Sequence, residues 1–158
     1  MTIKFLCVGK ITESYLQEAI EDYLKRLRHY TSIEYREIKA EKRKKTENDL
    51  QIRQREYERL CQAITPQELV IALDEHGTAY SSLEFSQLLA QYQRRGEVKT
   101  VTFVIGGATG FAEEFLRKAR AIVSLSCMTF PHQLCRLILV EQVYRAYTIL
   151  AGEPYHKM

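Results

Sequence analysis

The chain is expected to fold as one α/β domain around a mainly parallel sheet with helices on both faces. Three observations carry that expectation. Apolar segments of strand length alternate with segments of helical periodicity along the 158 residues. The central strand candidates, residues 69–73 and 100–105, are apolar on both faces, as strands covered on both sides must be. No repeat, low-complexity tract or linker divides the chain, so residues 1–158 form a single domain by length.

The elements follow in order. Ile3–Val8 reads as a first buried strand, ended by Gly9. Residues 14–30 carry Tyr15, Leu16, Ala19, Ile20, Tyr23, Leu24 and Leu27 at helical spacing, with Ser14 as the expected cap. Residues 32–38 alternate as a strand does, and a charged stretch, Lys39–Lys45, follows. A polar helix is expected over about residues 47–64, stopped near Thr65-Pro66. After the strand 69–73, Asp74 to Gly77 read as a turn. Ser81 or Ser82 then caps a helix over about residues 83–95, with Gly96 as its terminator.

After the strand 100–105 comes the cluster Gly106-Gly107-Ala108-Thr109-Gly110. A short helix (about 112–121), a last strand (122–125) and a loop (126–131) precede a long closing helix over about residues 132–150. Pro131 stands at or near its first position and Gly152 ends it.

Composition narrows the function class. A 46% hydrophobic content suits a globular core, and no apolar run reaches the roughly 18 residues a membrane helix needs. The short apolar start lacks the length and cleavage site of a secretion signal, so a cytoplasmic protein is expected. The net charge of +3 permits an RNA partner without requiring one. Cys7, Cys61, Cys127 and Cys135 form no CxxC pair, and three sit in apolar settings, which suits reduced thiols. No metal site is expected, since closely spaced ligands are missing.

In open α/β sheets, ligands bind beyond the carboxyl ends of strands. Three loops leave such ends: Leu73-Asp74-Glu75, Gly106–Gly110 and Ser126–Pro131. The glycine cluster either hugs a flat cofactor or makes a tight strand-to-helix turn. It is neither the G-x-G-x-x-G of a dinucleotide fold nor a P-loop. Gly107-Ala108-Thr109-Gly110 matches the G-x-x-G of a KH domain, but that loop joins two helices and this one follows a strand. The loop Ser126-Cys127-Met128-Thr129-Phe130-Pro131 mixes hydroxyls with apolar groups beside a helix start; it is a ligand loop or an ordinary cap.

Arg136 and Arg145 lie about 180° apart around the closing helix, so one can face the ligand and the other not. Glu141 and Arg145, four apart, are expected to pair within the helix. Tyr155-His156-Lys157 is either a frayed terminus or an aromatic and cationic handle on RNA. Lys42-Arg43-Lys44-Lys45 is a solvated loop or a phosphate-contacting arm.

Together these segments resemble the ribosomal RNA large-subunit methyltransferase H family of the SPOUT class. The stretches Phe103–Gly110, Ser124–Arg136, Glu141–Ile149 and Pro154–Lys157 carry the likeness, which extends over the whole chain and is loosest from Ala40 to Gln67. The resemblance implies a trefoil knot near the carboxyl end and a homodimer using S-adenosyl-L-methionine (SAM). It implies methylation of N3 of a pseudouridine in the helix 69 loop of 23S rRNA, on the assembled ribosome. It assigns the cofactor to Leu73, Gly106, Gly107, Gly110 and Ser126, Cys127, Met128, Thr129, Phe130 and Pro131. It assigns Tyr155, His156 and Lys157 of the partner subunit to the substrate side; for the chemistry, Lys157 or Arg136 is the candidate to hold phosphate or steady the developing oxyanion. A non-catalytic RNA-binding or ribosome-assembly factor, and a Rossmann-type enzyme acting on a small molecule, are the competing readings.

Overall fold

The computed structural model describes residues 1–157; Met158 lies outside the described residues. The elements are β1 (Thr2–Val8), α1 (Ser14–Leu27), β2 (Ser32–Ile38), α2 (Asp49–Ala63) and β3 (Leu69–Ala79). They continue with α3 (Ser82–Arg94), β4 (Thr100–Ile105), α4 (Glu113–Lys118), β5 (Ala121–Ser124) and α5 (His132–Leu150). The strands form one sheet in the order β2-β1-β4-β3-β5, with every pairing parallel.

Alternation along each strand assigns side chains to the two faces. Ile3, Phe5 and Cys7 of β1 join Val101, Phe103 and Ile105 of β4 against α1, α3 and α5. Leu6, Val8, Ala72 and Val104 face the other way, against α2 and α4. The expected two-sided α/β layout is therefore present. Lys4 is buried on the second face. Its ammonium donates to the Ala63 carbonyl at 2.7 Å and to Glu68 at 3.2 Å, so the charge is paired rather than stranded.

Local chemistry fixes most helix ends. Asn48 with Gln51, and Ser81 with Glu84, make reciprocal capping boxes for α2 and α3. Each cap is worth about 1 kcal/mol. At the end of α5, Gly152 turns left-handed (φ 70°), with Gly152 N–H on the Ile149 carbonyl and Glu153 N–H on that of Thr148. That is a Schellman closure, and it aims the tail back along the helix.

Several sequence expectations need correction. Ser14 does not cap α1: Glu13 occupies the cap without a side-chain bond. The distant Gln133 side chain accepts from the Thr12 and Glu13 amides instead, at 3.0 and 3.4 Å. Gly96 does not terminate α3 by a left-handed turn, since the helix already leaves helical geometry at Arg95. α4 is shorter than expected, and β5 begins one residue earlier.

The largest difference lies at residues 74–77. The turn is there, with the His76 N–H on Asp74 Oδ1 at 2.9 Å, but the strand resumes after it. Leu73 and Thr78 both lie opposite Val123, so four residues bulge out of β3 between them. Gly77 makes this possible. A Cβ there would stand 2.6 Å from the Ile122 carbonyl oxygen, so the backbones meet too closely for any side chain.

Candidate active site

A cleft of about 650 Å³ opens at the carboxyl ends of β3, β4 and β5. That size suits a small-molecule cofactor. Its walls come from three stretches: Leu73–His76 with the bulge, Ile105–Phe111, and Leu125–Phe130 without Cys127, joined by His132 and Cys135 from the start of α5. The topology explains the convergence. β4, β3 and β5 are consecutive neighbours in a parallel sheet, so their carboxyl ends lie side by side.

The glycine loop is built against its own support. A Cβ on Gly106 would meet the Phe111 ring at 3.1 Å, and one on Gly107 would meet the Glu56 carboxylate at 2.7 Å. The loop is pinched by a bridge between Gly107 and Gly110, with Gly110 N–H on the Gly107 carbonyl at 3.0 Å. Gly110 holds φ 77°, which a side chain would strain. The backbone at these positions therefore lies bare along the cleft.

The third loop is tied internally. Ser124 Oγ donates to the Ser126 carbonyl at 2.9 Å, Ser126 Oγ accepts from Met128 N–H at 3.0 Å, and Thr129 Oγ1 donates to Glu75 at 2.9 Å. The last bond joins this loop to the β3 bulge.

Two features fit an occupant with a flat apolar part and polar edges. Leu73, Ile105, Leu125 and Phe130 supply apolar wall. The glycine-loop backbone beside that wall supplies the polar edges. An adenosyl group is matched by both. The site residues would hold SAM between the apolar wall and the bare glycine backbone. Burial first, and then Arg136, push the pKa of His132 down, so its imidazole is neutral near pH 7.

Not every expected residue lines this cleft. Leu73, Gly106, Gly107, Gly110, Ser126, Met128, Thr129 and Phe130 do. Cys127 is exposed outside it, and Pro131 serves as the cap of α5. Arg136 is buried at 2% exposure behind the wall. It donates to the Val8 carbonyl at 2.9 Å and pairs with Glu37 at 3.3 Å. It anchors the end of β1 and is closed off from any phosphate. The thiols differ as well. Cys7 alone is buried, with its pKa pushed up to about 11 by that burial, partly offset by Arg136; Cys61 and Cys127 are exposed.

Tyr155, His156 and Lys157 are not in the cleft of their own chain. They follow the far end of α5, whose 19 residues span about 28 Å. There the tail is ordered. Tyr155 donates to Glu141 at 3.0 Å, meets the Tyr23 hydroxyl at 3.2 Å, and stacks edge-on against Tyr144. Arg145 pairs with Glu141, lies 4.8 Å above the Tyr155 ring and donates to His156 Nδ1 at 3.3 Å. Burial, followed by the bonds to Tyr23 and Glu141, raises the pKa of Tyr155, so the phenol keeps its proton at neutral pH.

Sequence reasoning missed Arg53. It sits in α2, lines the cleft, and donates through Nε to the Thr109 carbonyl at 2.5 Å. A single arginine in a polar helix gives no signal of this, because only the packing of α2 under the glycine loop brings it there. Among the described residues no group of three metal-ligating side chains converges, and no helix is long and apolar enough to cross a membrane.

The parallel sheet, the glycine loop after β4 and the cleft at neighbouring strand ends define an α/β fold that binds a ligand at its carboxyl edge. The family model "Predicted SPOUT methyltransferase" matches residues 1–156, and the chain belongs to that family. It is 43% identical over 155 residues to "Ribosomal RNA large subunit methyltransferase H" of Caldicellulosiruptor saccharolyticus, covering 98% of this chain and 99% of that one. It is 42% identical over 161 residues to the protein of the same name in Streptococcus uberis, covering 99% and 100%. Among solved structures, a probable methylase family protein from Haemophilus influenzae superposes with a TM-score of 0.56 at 12% identity. It covers 99% of this chain and 70% of that one, a likeness of fold.

Proposed function

We infer that this chain is a SAM-dependent methyltransferase of large-subunit ribosomal RNA, acting in the cytoplasm as a homodimer on N3 of a pseudouridine in the helix 69 loop of 23S rRNA. The supporting observation is the cleft itself, with its apolar wall and bare glycine backbone. The names of the full-length relatives support the RNA substrate. A trefoil knot, with the chain after β5 threaded through a preceding loop, belongs to the same reading.

Support for the dimer comes from α5. Its core side carries Leu139, Val140, Val143 and Ala146. A second stripe, Leu134, Ile138, Glu141, Arg145 and Ile149, is only half-buried, and its three apolar members lie outside the core clusters. A helix with apolar residues on both sides calls for a second partner. Two copies of α5 meeting antiparallel about a two-fold axis would set the tail of one against the cleft of the other. Tyr155, His156 and Lys157 would then reach the substrate from the partner subunit.

Bound SAM supplies an electrophilic methyl group, and the protein's task is chiefly alignment, which can contribute roughly 7–11 kcal/mol. Leu73 and Phe130 would bracket the adenine, and the Gly107–Gly110 backbone would hold the ribose side. Tyr155, kept protonated, acts as a hydrogen-bond donor and stacking surface rather than as a base. Arg145 can only donate, so its bond to Nδ1 places the His156 proton on Nε2. His156 therefore becomes a proton acceptor for N3–H only when that contact gives way.

The test is mass mapping of rRNA nucleotides after incubating the protein and SAM with ribosomes from a strain lacking the modification. One methyl group on the helix 69 pseudouridine is expected. Tight SAM binding without any methylation of ribosomes would favour the assembly-factor reading.

A further inference from the structure

We propose that Arg53 and the loop lysines Lys42, Lys44 and Lys45 form one phosphate-binding track that leads the RNA strand to the mouth of the cleft. This rests on the reading of RNA as substrate and says how the strand docks.

The first observation is the state of Arg53. It is the sole arginine or lysine among the described residues lining a cleft that also carries Asp74, Glu75 and Glu113. Its Nε is engaged by the Thr109 carbonyl, which fixes the plane of the guanidinium. No carboxylate lies within ion-pair distance of it among the described residues. Its two terminal nitrogens therefore present a free fork, the geometry that grips a phosphate through two parallel bonds.

The second observation is how the loop before α2 distributes its charges. Glu41 and Glu47 are neutralised by Arg55 and Arg59 of α2. Glu47 also accepts from the Lys44 backbone at 3.0 Å. Arg43 pairs with Asp49 at the start of the helix. The acids and arginines thus pin the loop, leaving the lysines over. Lys42, Lys44 and Lys45 are exposed, with no carboxylate in ion-pair range among the described residues. The bond between Arg55 and Glu47 holds the Glu47 carboxyl down to about 2, so this pinning persists at every physiological pH.

The third is position. The loop ends at the Asn48 cap, and Arg53 lies five residues further along α2, about 7.5 Å along the axis. A strand crossing from the loop lysines over the first turns of α2 would come to the cleft mouth at Arg53. There a fixed cation offsets the acidic wall that would otherwise repel phosphate. The Arg53 bond to Thr109 sets the innermost phosphate contact directly on the glycine loop.

The test uses the full-length protein in two variants, Lys42→Gln/Lys44→Gln/Lys45→Gln and Arg53→Gln. Ribosome binding is measured across a salt series, and SAM binding by calorimetry. Three phosphate contacts contribute about 2–3 to the slope of log K against log salt, and the triple variant should lose that much. Arg53→Gln should lose about one further unit. SAM affinity should stay within about twofold in the triple variant, and unchanged thermal melting would show that both fold. An unchanged slope in the triple variant overturns the track. A large loss of SAM affinity in Arg53→Gln would assign that fork to the cofactor instead and overturn its place in the track. If the wild type itself fails to methylate ribosomes, the underlying reading fails rather than this one.

Discussion

The two ends of α5 are built on opposite plans. At its start, His132 and Cys135 border an open cleft along which the glycine-loop backbone lies bare. At its finish, the tail is closed on itself: Tyr155 is held by Glu141, Tyr23 and Tyr144, and Arg145 covers its ring. The first end is shaped to receive something, and the second is shaped to present something. The tail folds back only as far as Glu141, nine residues or about 13.5 Å along α5 from its start, and does not line the cleft of its own chain. On the proposed reading, a reaction that needs both is completed by a second copy.

Deleting residues 155–158 should test this division hardest. Methylation should fall by more than about a hundredfold, as when transition-state groups are removed, while SAM affinity stays unchanged. Mixing that chain with one blocked in the cleft by Ala108→Trp should restore about a quarter of the wild-type sites, since half the dimers are mixed and each has one complete site. No rescue on mixing would break the comparison.

Arg136→Met should come next. It removes the charged bonds that tie the receiving end of α5 to the Val8 carbonyl and Glu37. A loss of about 1.5–3 kcal/mol in urea unfolding is expected. The turnover of the folded fraction should be kept, because Arg136 does not touch the cleft.

Gly77→Ala should destabilise by about 1–3 kcal/mol, as overpacking does, because the new Cβ meets the Ile122 backbone rather than a movable side chain. It should also weaken SAM binding, which calorimetry would read, while leaving the tail intact.

The smallest effect concerns Glu56 beneath Gly107. Burial, with Glu41 adding to it and Arg59 and Arg55 opposing, raises its pKa. A raised carboxyl pKa means that the folded state favours the proton. Its penalty is absent below the unfolded value and grows as pH rises through it. Glu56→Gln should therefore gain stability relative to wild type between pH 4 and pH 7, read as a rising difference in melting temperature. A difference flat with pH would show that burial does not perturb this group.

How far the sequence reached differs between elements. The doubly apolar runs at 69–73 and 100–105 foretold central parallel strands, because burial on both faces leaves no polar positions. Ser81, one of two cap candidates, and the closing Gly152 foretold helix ends, because their bonds are local. Residues 74–77 were legible as a turn, yet not as a bulge within β3, since the resumption depends on Val123, far along the chain. Ser14 failed as a cap because the helix already begins there, with Glu13 in the cap position. Most of the residues expected to bind the cofactor line one cleft, whereas Arg136 is turned inward by Glu37 and Val8.

By itself, the sequence determined the alternation of strand and helix, the sidedness of each element, and the loops able to hold a ligand. These depend on spacing and on bonds between near neighbours. Only the tertiary structure decided which loop tips share a cleft, where Arg53 and Arg136 face, and that the tail folds back on α5 outside the cleft of its own chain. Those outcomes depend on packing between residues distant in the chain, a relation that no local pattern encodes.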